Sequence, residues 1–236
     1  MPAPLDAEQL RAFEQEALHD LDPLYSSLED EWRGTREEIR ERLRGYLPLL
    51  EEVKARSPHM TVLDLGCGRG EWLELLRNEG YSARGVDWNR LLVEDCLSRQ
   101  LPVEQGEALE HLGRVPDASV SVVTAFRLVE QLPFRKLVRL LDEVTRVLRT
   151  GGVAILETPN PDNLLVATRH FYRDPARCRP IPSDTLRFLV ESRGLSQARV
   201  LPLDPYDACH HVPGEGALAQ RFNDYFYGPR EYAVVG

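Results

Sequence analysis

Residues 61–71 read Thr61-Val62-Leu63-Asp64-Leu65-Gly66-Cys67-Gly68-Arg69-Gly70-Glu71. A short, branched, mostly apolar run leads straight into a glycine-rich turn, the pattern of a parallel strand buried on both faces. Trp72, Leu73, Leu75 and Leu76 follow at helical spacing, and Gly80 ends the run. A glycine turn between a strand and its helix lets a ligand approach the backbone closely and leaves amide N–H groups free at the helix start. The dinucleotide fingerprint G-x-G-x-x-G is not met, because position 71 carries a glutamate where the third glycine would stand. A pyrophosphate would meet a carboxylate there.

Outward from this turn the chain alternates strands and helices. Ala83–Asp87 reads as a second strand, Leu91–Leu97 as a helix, Val103–Gln105 as a third strand and Val120–Thr124 as a fourth. Pro133 suits the first turn of a long helix through Leu148, which Gly151-Gly152 is expected to close before the strand Val153–Glu157. Such alternation calls for a parallel sheet covered by helices on both faces, an α/β fold. Farther on, 163–169 reads as a short helix, Ser183 as the cap of a helix carrying Leu186, Phe188, Leu189 and Val190, and 198–201 and 232–235 as strands. The aromatic cluster Phe222, Tyr225, Phe226 and Tyr227 is expected on a helix packed on the sheet, with a sugar platform as the alternative.

Before the turn, residues 7–21 place Leu10, Phe13, Ala17 and Leu21 near one helical stripe, suited to packing on the same domain or on a second subunit of a homodimer. Thr35 and Glu38 form a capping box, Ile39, Leu43, Tyr46, Leu47 and Leu50 continue an apolar face, and Pro48 is expected to kink or divide that helix.

The cofactor candidates cluster at the strand ends. Asp87 closes the second strand about twenty residues past the turn, where an acidic side chain can bind both hydroxyls of a ribose. Asp64 stands just before Gly66, Cys67 and Gly68, placed for a cationic group; Glu107 and Ala108 after the third strand suit an adenine amino group and ring; Trp88 can cover that ring. S-adenosylmethionine is a nucleoside without phosphate, so Glu71 does not count against it.

Composition is that of a soluble globular chain, 236 residues with 42% hydrophobic and 28% charged. The formal net charge of −9 argues against sequence-independent nucleic-acid binding and against a polybasic membrane anchor. Cys67, Cys96, Cys178 and Cys209 form no CxxC pair, the amino terminus lacks a signal-peptide pattern, and no apolar run approaches the roughly 20 residues that span a bilayer. The expectation is a cytoplasmic protein. Cys209-His210-His211 with Asp207 lacks the spaced second pair of a tetrahedral metal site, so no metal is expected.

Val62–Gly70 resembles motif I of class I S-adenosylmethionine-dependent methyltransferases, a Rossmann-like fold. Segments 33–39, 157–165, 171–175 and 228–234 resemble bacterial methyltransferases that modify O-antigen and related polysaccharides. The resemblance implies a mostly parallel seven-stranded sheet with the last strand antiparallel, and a division into an N-terminal helical extension or lid (1–56) and a methyltransferase domain (57–236). It implies that Arg36 reaches the cofactor carboxylate, with Tyr25 in the lid. This chain departs from the family pattern where that pattern carries histidines: Arg127, Gln131 and Arg177 stand there instead.

Without those histidines, the candidate bases are Glu130, Glu157, Asp174 and His170, and Glu130, Arg127 and Asp174 are the expected catalytic set. Arginine pairs its fixed fork with carboxylate or phosphate, so Arg127 and Arg177, with Gln131 and Tyr172, suit a small-molecule or glycan acceptor bearing an acidic group. The main reading is O-methylation of a sugar-containing or acidic acceptor. The alternatives are a methyltransferase of specialised metabolites and a non-catalytic cofactor binder.

Overall fold

The computed structural model describes residues 6, 16–17, 19–57 and 59–236. Of the helix expected over 7–21, residues 7–15 and 18 lie outside them.

Among the described residues, seven strands form one sheet: β1 (Thr61–Leu65), β2 (Ser82–Asp87), β3 (Val103–Gln105), β4 (Val120–Phe126), β5 (Leu148–Pro159), β6 (Arg199–Pro205) and β7 (Pro229–Val235). Their order is β3-β2-β1-β4-β5-β7-β6. β1 to β5 run parallel, and β7 slots antiparallel between β5 and β6. The order reverses between β1 and β4, and in such a sheet the crevice outside the carboxyl ends of the strands is the place for a ligand. No helix among the described residues is long and apolar enough to cross a membrane.

The helices are α1 (Asp22–Trp32), α2 (Arg36–Leu43), α3 (Leu47–Arg56), α4 (Glu71–Asn78), α5 (Arg90–Ser98), α6 (Ala108–Leu112), α7 (Phe134–Val147), α8 (Ser183–Ser192) and α9 (Ala217–Tyr227). Alternate strand residues face opposite layers. Leu63, Leu65, Val123 and Ala125 pack on α7 and α8 through Leu137, Leu141, Val144, Leu186 and Val190. Val62, Val122, Phe126 and Ile155 pack on α2 to α4 through Ile39, Leu43, Leu50, Trp72 and Leu76.

The capping box forms as read: Thr35 Oγ1 accepts from the Glu38 backbone while the Glu38 carboxylate accepts from Thr35. A 3-10 turn (Arg44–Tyr46) separates α2 from α3, with Pro48 in the first turn of α3, where its missing N–H costs nothing. Since α2 and α3 share one apolar cluster with the sheet, a boundary at residue 56 does not separate two cores.

Three readings are corrected. Gly151-Gly152 does not close α7, which ends at Val147; the pair lies inside β5, where its register with β4 slips. A Cβ on Gly152 would stand 2.9 Å from the carbonyl oxygens of Arg149 and Ser121, so close backbone approach explains the glycine. Ser183 is the first residue of α8, and Pro182 takes the cap position. The aromatics on α9 pack on each other, Phe222 against Phe226 at 4.4 Å between ring centroids, and α9 buries no residue.

Leu50 on α3 is fully buried, whereas Leu218 on α9 is 83% exposed. Leu50→Ala should cost about 2–5 kcal/mol in urea unfolding. Leu218→Ala should stay within about 0.5 kcal/mol.

Candidate functional site

The glycine turn is pinned to β2. The N–H groups of Gly66 and Cys67 donate to the Val86 carbonyl at 2.9 and 3.1 Å, and the Gly68 N–H donates to Asp87 Oδ2 at 2.7 Å. Asn89 donates its N–H to Asp87 Oδ1 at 2.9 Å. Gly70 caps α4 with φ +75°, and a Cβ there would lie 2.7 Å from Cys96 Sγ. Only glycine lets this turn lie on α5.

A cleft of about 460 Å³ opens at the carboxyl ends of the strands. One half is lined by Gly66, Asp87, Trp88, Glu107 and Ala108, and the other by Arg127, Leu128, Gln131, Asp174 and Arg177. α1 forms the roof with Tyr25, Leu28, Glu29, Trp32 and, just past its end, Arg33. Asp64, Cys67 and Gly68 lie behind this lining. Asp64 accepts a hydrogen bond from Thr124 Oγ1 at 2.6 Å, and the Cys67 side chain packs with Leu73 and Cys96 under the turn.

The first half is strongly acidic. Burial, with repulsion from Asp87 and Glu71, pushes Asp64 up to about 7 against the pull of Thr124 and Arg33. Burial, with repulsion from Glu29, pushes Asp87 up to about 6. Burial alone would weaken the proton's hold on Arg33, but Glu29, Glu71, Glu157 and Asp64 together raise its pKa. Carboxylates held out of water next to one another suit a ligand bearing positive charge, and they repel a pyrophosphate. The residues present therefore fit a sulfonium nucleoside: Asp87 keeps lone pairs for ribose hydroxyls, and Glu107 and Ala108 flank the far end. Glu107 already caps α6 through Glu110 and pairs with Lys136 at 3.1 Å.

The second half holds two arginines against buried carboxylates. Arg127 follows the last residue of β4 at φ +59°, a left-handed conformation that costs a non-glycine residue about 1–3 kcal/mol and is typical of functional sites. Its guanidinium pairs with Glu231 of β7. Arg177 has a side chain 9% exposed and donates to the carbonyls of His170 and Phe171 at 3.0 and 3.1 Å. Its Nε lies 3.5 Å from Asp174 and 3.9 Å from Glu130. Burial, then the charge of Arg127, lowers its pKa.

Several expected site residues lie elsewhere. Arg36 does not line the cleft: from the first turn of α2 it donates to the Arg69 carbonyl at 2.7 Å and pairs with Asp95 at 3.3 Å, bracing the outside of the glycine turn. Arg33 enters the cleft instead. Glu130 is fully buried behind Arg177, where it accepts from Thr158 Oγ1 at 2.9 Å, and burial pushes it up to about 7. It does not line the cleft. Glu157 accepts from Tyr46 Oη at 2.5 Å on the other side of the sheet, and His170 is turned toward Tyr206. Tyr172 is 66% exposed and outside the cleft. Of the four candidate bases, Asp174 alone lines the cleft. Among the described residues, no group of three or more His, Cys, Asp or Glu is arranged to hold a metal.

Sequence reasoning missed Asp22, Glu29 and Arg33. The signal was present in Asp22-Pro23, an acid and a proline opening a helix. Asp22 is buried, and its carboxylate accepts from the Arg90 N–H at 2.8 Å, tying α1 to the start of α5.

The methyltransferase domain family matches residues 33–199. A probable S-adenosylmethionine-dependent methyltransferase of Mycolicibacterium smegmatis is 34% identical over 119 residues, 50% of this chain and 45% of that protein. The chain thus spans less than half the length of that relative. An uncharacterized methyltransferase of Bacillus subtilis is 27% identical over 184 residues, covering 73% of this chain and 76% of that one. Among solved structures, a SAM-dependent methyltransferase from Archaeoglobus fulgidus superimposes with a TM-score of 0.82 at 28% identity, covering 89% of this chain and 98% of that one.

Because burial raises Asp64 and Asp87 from the usual 3.8 to about 7 and about 6, the native chain binds more protons than the unfolded chain across that window. Their contribution to stability is therefore present in acid and is lost as pH rises through about 6 to 7. Affinity for S-adenosylhomocysteine should move the opposite way, rising over the same window and levelling above it, as ionised Asp87 meets ribose. Calorimetric titrations between about pH 5.5 and about pH 8, with thermal melts of the free protein, check both slopes.

Proposed function

The chain belongs to the methyltransferase domain family, and from that premise we propose that it transfers a methyl group from S-adenosylmethionine to an oxygen of a small acceptor bearing an acidic group. The bound cofactor supplies an electrophilic methyl on a sulfonium, so the protein's task is to align the acceptor oxygen with it. The acidic first half of the cleft takes the cofactor: Asp87 the ribose, with Asp64 and Glu29 as counter-charge, and Trp88, Glu107 and Ala108 around the base.

The observation that carries the acceptor class is that Arg127 and Arg177 both line the opposite half, close enough for one charge to lower the pKa of the other. Two confined guanidiniums are relieved by an anion between them. Gln131, whose side-chain amide donates to the Arg127 carbonyl at 2.9 Å, steadies that wall. Asp174 is positioned to receive the proton when the reacting group is a hydroxyl; a carboxylate acceptor needs no base. An acidic acceptor is favoured over a bulky glycan because Phe222, Tyr225, Phe226 and Tyr227 do not line the cleft and offer no sugar platform there.

Arg127→Met alone strands Glu231 as a buried, unpaired carboxylate, so the informative variant is Arg127→Met with Glu231→Gln. With a panel of carboxylated and neutral hydroxylated acceptors, the wild type should turn over the acidic set. The double variant should lose about tenfold or more in kcat/KM on those acceptors, the size of a charge-assisted hydrogen bond, with unchanged affinity for S-adenosylhomocysteine. Unchanged turnover would remove Arg127 from acceptor recognition.

A further inference from the structure

The Glu130 carboxylate has one oxygen satisfied and one not. Oε2 accepts from Thr158 Oγ1 at 2.9 Å, whereas Oε1 is buried without a hydrogen-bond partner. Arg177 Nε is likewise buried without one, and these two orphaned atoms stand 3.9 Å apart. At that separation they feel each other's charge but make no hydrogen bond. A buried polar atom without a partner calls for an explanation, and here two of opposite charge face each other.

Glu130 also fastens the chain around Arg177. Its carbonyl accepts from the N–H of Cys178 at 2.8 Å and from that of Arg179 at 3.4 Å. Beside it, Cys178 Sγ donates to the Gln131 carbonyl at 3.1 Å. On the near side of Arg177, Asp174 turns the chain by accepting from the Ala176 N–H at 2.9 Å. Segment 174–179 therefore hangs on the turn after β4 through one residue's backbone, and that residue's side chain lies behind the guanidinium. Arg177 and Asp174 line the cleft, and Glu130 does not.

The charge around Glu130 comes from several elements. Burial holds the proton on, Arg177 and Arg127 draw it off, and Glu231 of β7 repels the ionised form. Tyr232, next along β7, donates its hydroxyl to the Ile181 carbonyl at 2.8 Å and stays neutral, its pKa raised by burial, Glu130, Asp162 and Asp184. Asp174 lies 3.5 Å from Arg177 Nε and competes with Glu130 for it. Burial outweighs both arginines, and Glu130 is pushed up to about 7. Ionised, Glu130 offsets part of the positive charge of Arg177; protonated, it leaves that charge to a ligand.

We propose that Glu130 is a positioning residue of the acceptor half: it holds Arg177 from behind, and its own charge sets how strongly Arg177 draws an acidic group, so that an acid binds best while Glu130 keeps its proton. This rests on the reading that Arg127 and Arg177 receive an acidic acceptor. Glu130 touches neither the acceptor nor the transferred methyl and acts only through Arg177. The coupling is reciprocal: an anion held at Arg177 repels the carboxylate behind it and draws a proton onto it.

The test uses the full chain and inorganic sulfate, an anion that keeps its charge through neutrality and needs only guanidiniums to bind it. Two NMR signals are followed: the Nε–H of Arg177, assigned by its loss in Arg177→Lys, and the carboxyl carbon of Glu130, assigned by its loss in Glu130→Gln. In the wild type Glu130 should titrate near neutrality, and saturating sulfate should raise its midpoint. Sulfate affinity read at Arg177 should fall about threefold to tenfold between about pH 6 and about pH 8.5. Glu130→Gln, near-isosteric and checked by a thermal melt, should hold the acid-side affinity throughout. Thr158→Val, which removes a donor to the ionised carboxylate, should move the fall toward higher pH and keeps the test decisive if the glutamine variant does not fold. Titration of Glu130 in the ordinary carboxylate range, the same fall in Glu130→Gln, or a fall that Thr158→Val leaves in place would each overturn the proposal while leaving the acidic-acceptor reading intact. Sulfate that leaves the Arg177 signal unmoved at every pH would overturn that reading and the proposal together.

Discussion

Asp64 and Asp87 sit at the carboxyl ends of adjacent parallel strands, Asp64 buried and Asp87 half-buried on the cleft wall, with the charge of Asp87 bearing on Asp64. Holding them there is unfavourable in the free protein, and burial raises both pKa values for that reason. The glycine turn makes the arrangement feasible by giving Asp87 a backbone N–H from Gly68, while Thr124 on β4 serves Asp64. A ligand with positive charge and hydroxyl donors recovers what burial costs, and a pyrophosphate would add to it. On the function proposed above, selectivity for a sulfonium nucleoside comes from the electrostatics of the strand ends more than from the shape of the turn.

The opposite half of the cleft uses the reverse arrangement. Arg127 and Arg177 face the cleft while their counter-charges, Glu231 and Glu130, come from behind, one on β7 and the other on the turn after β4. Burying a carboxylate behind each guanidinium fixes the fork without filling the space in front of it. The strained backbone at Arg127 belongs to the same device: it turns the side chain from the end of β4 toward β7. That β7 reaches this point follows from its antiparallel insertion between β5 and β6, which sets Glu231 opposite Pro159.

The strand-turn-helix core was legible because buried parallel strands leave continuous apolar runs, and β3 was read to its last residue. Asp87 was legible because its position follows from strand length alone. Side-chain direction was not. Arg33 and Arg36 lie three residues apart, and the turn at Gly34, with φ +96°, sends one into the cleft and the other behind the glycine turn. Glu130 was located on the correct loop, but its inward course depends on Thr158 and Arg177, each distant in the chain. α9 was misjudged because a cluster of aromatic residues reads as core, whereas here the rings satisfy one another at the surface. α1 escaped notice because its helical face is short and mixed with charge.

The claim that the strand-end carboxylates select a sulfonium nucleoside is tested most directly by calorimetric titration of the wild-type chain, in parallel, with S-adenosylhomocysteine and with NAD. The account predicts saturable one-to-one binding of the first and no heat from the second, with Asp87→Ala abolishing or severely weakening the binding. Saturable binding of NAD, or S-adenosylhomocysteine affinity that is indifferent to Asp87→Ala, would contradict it.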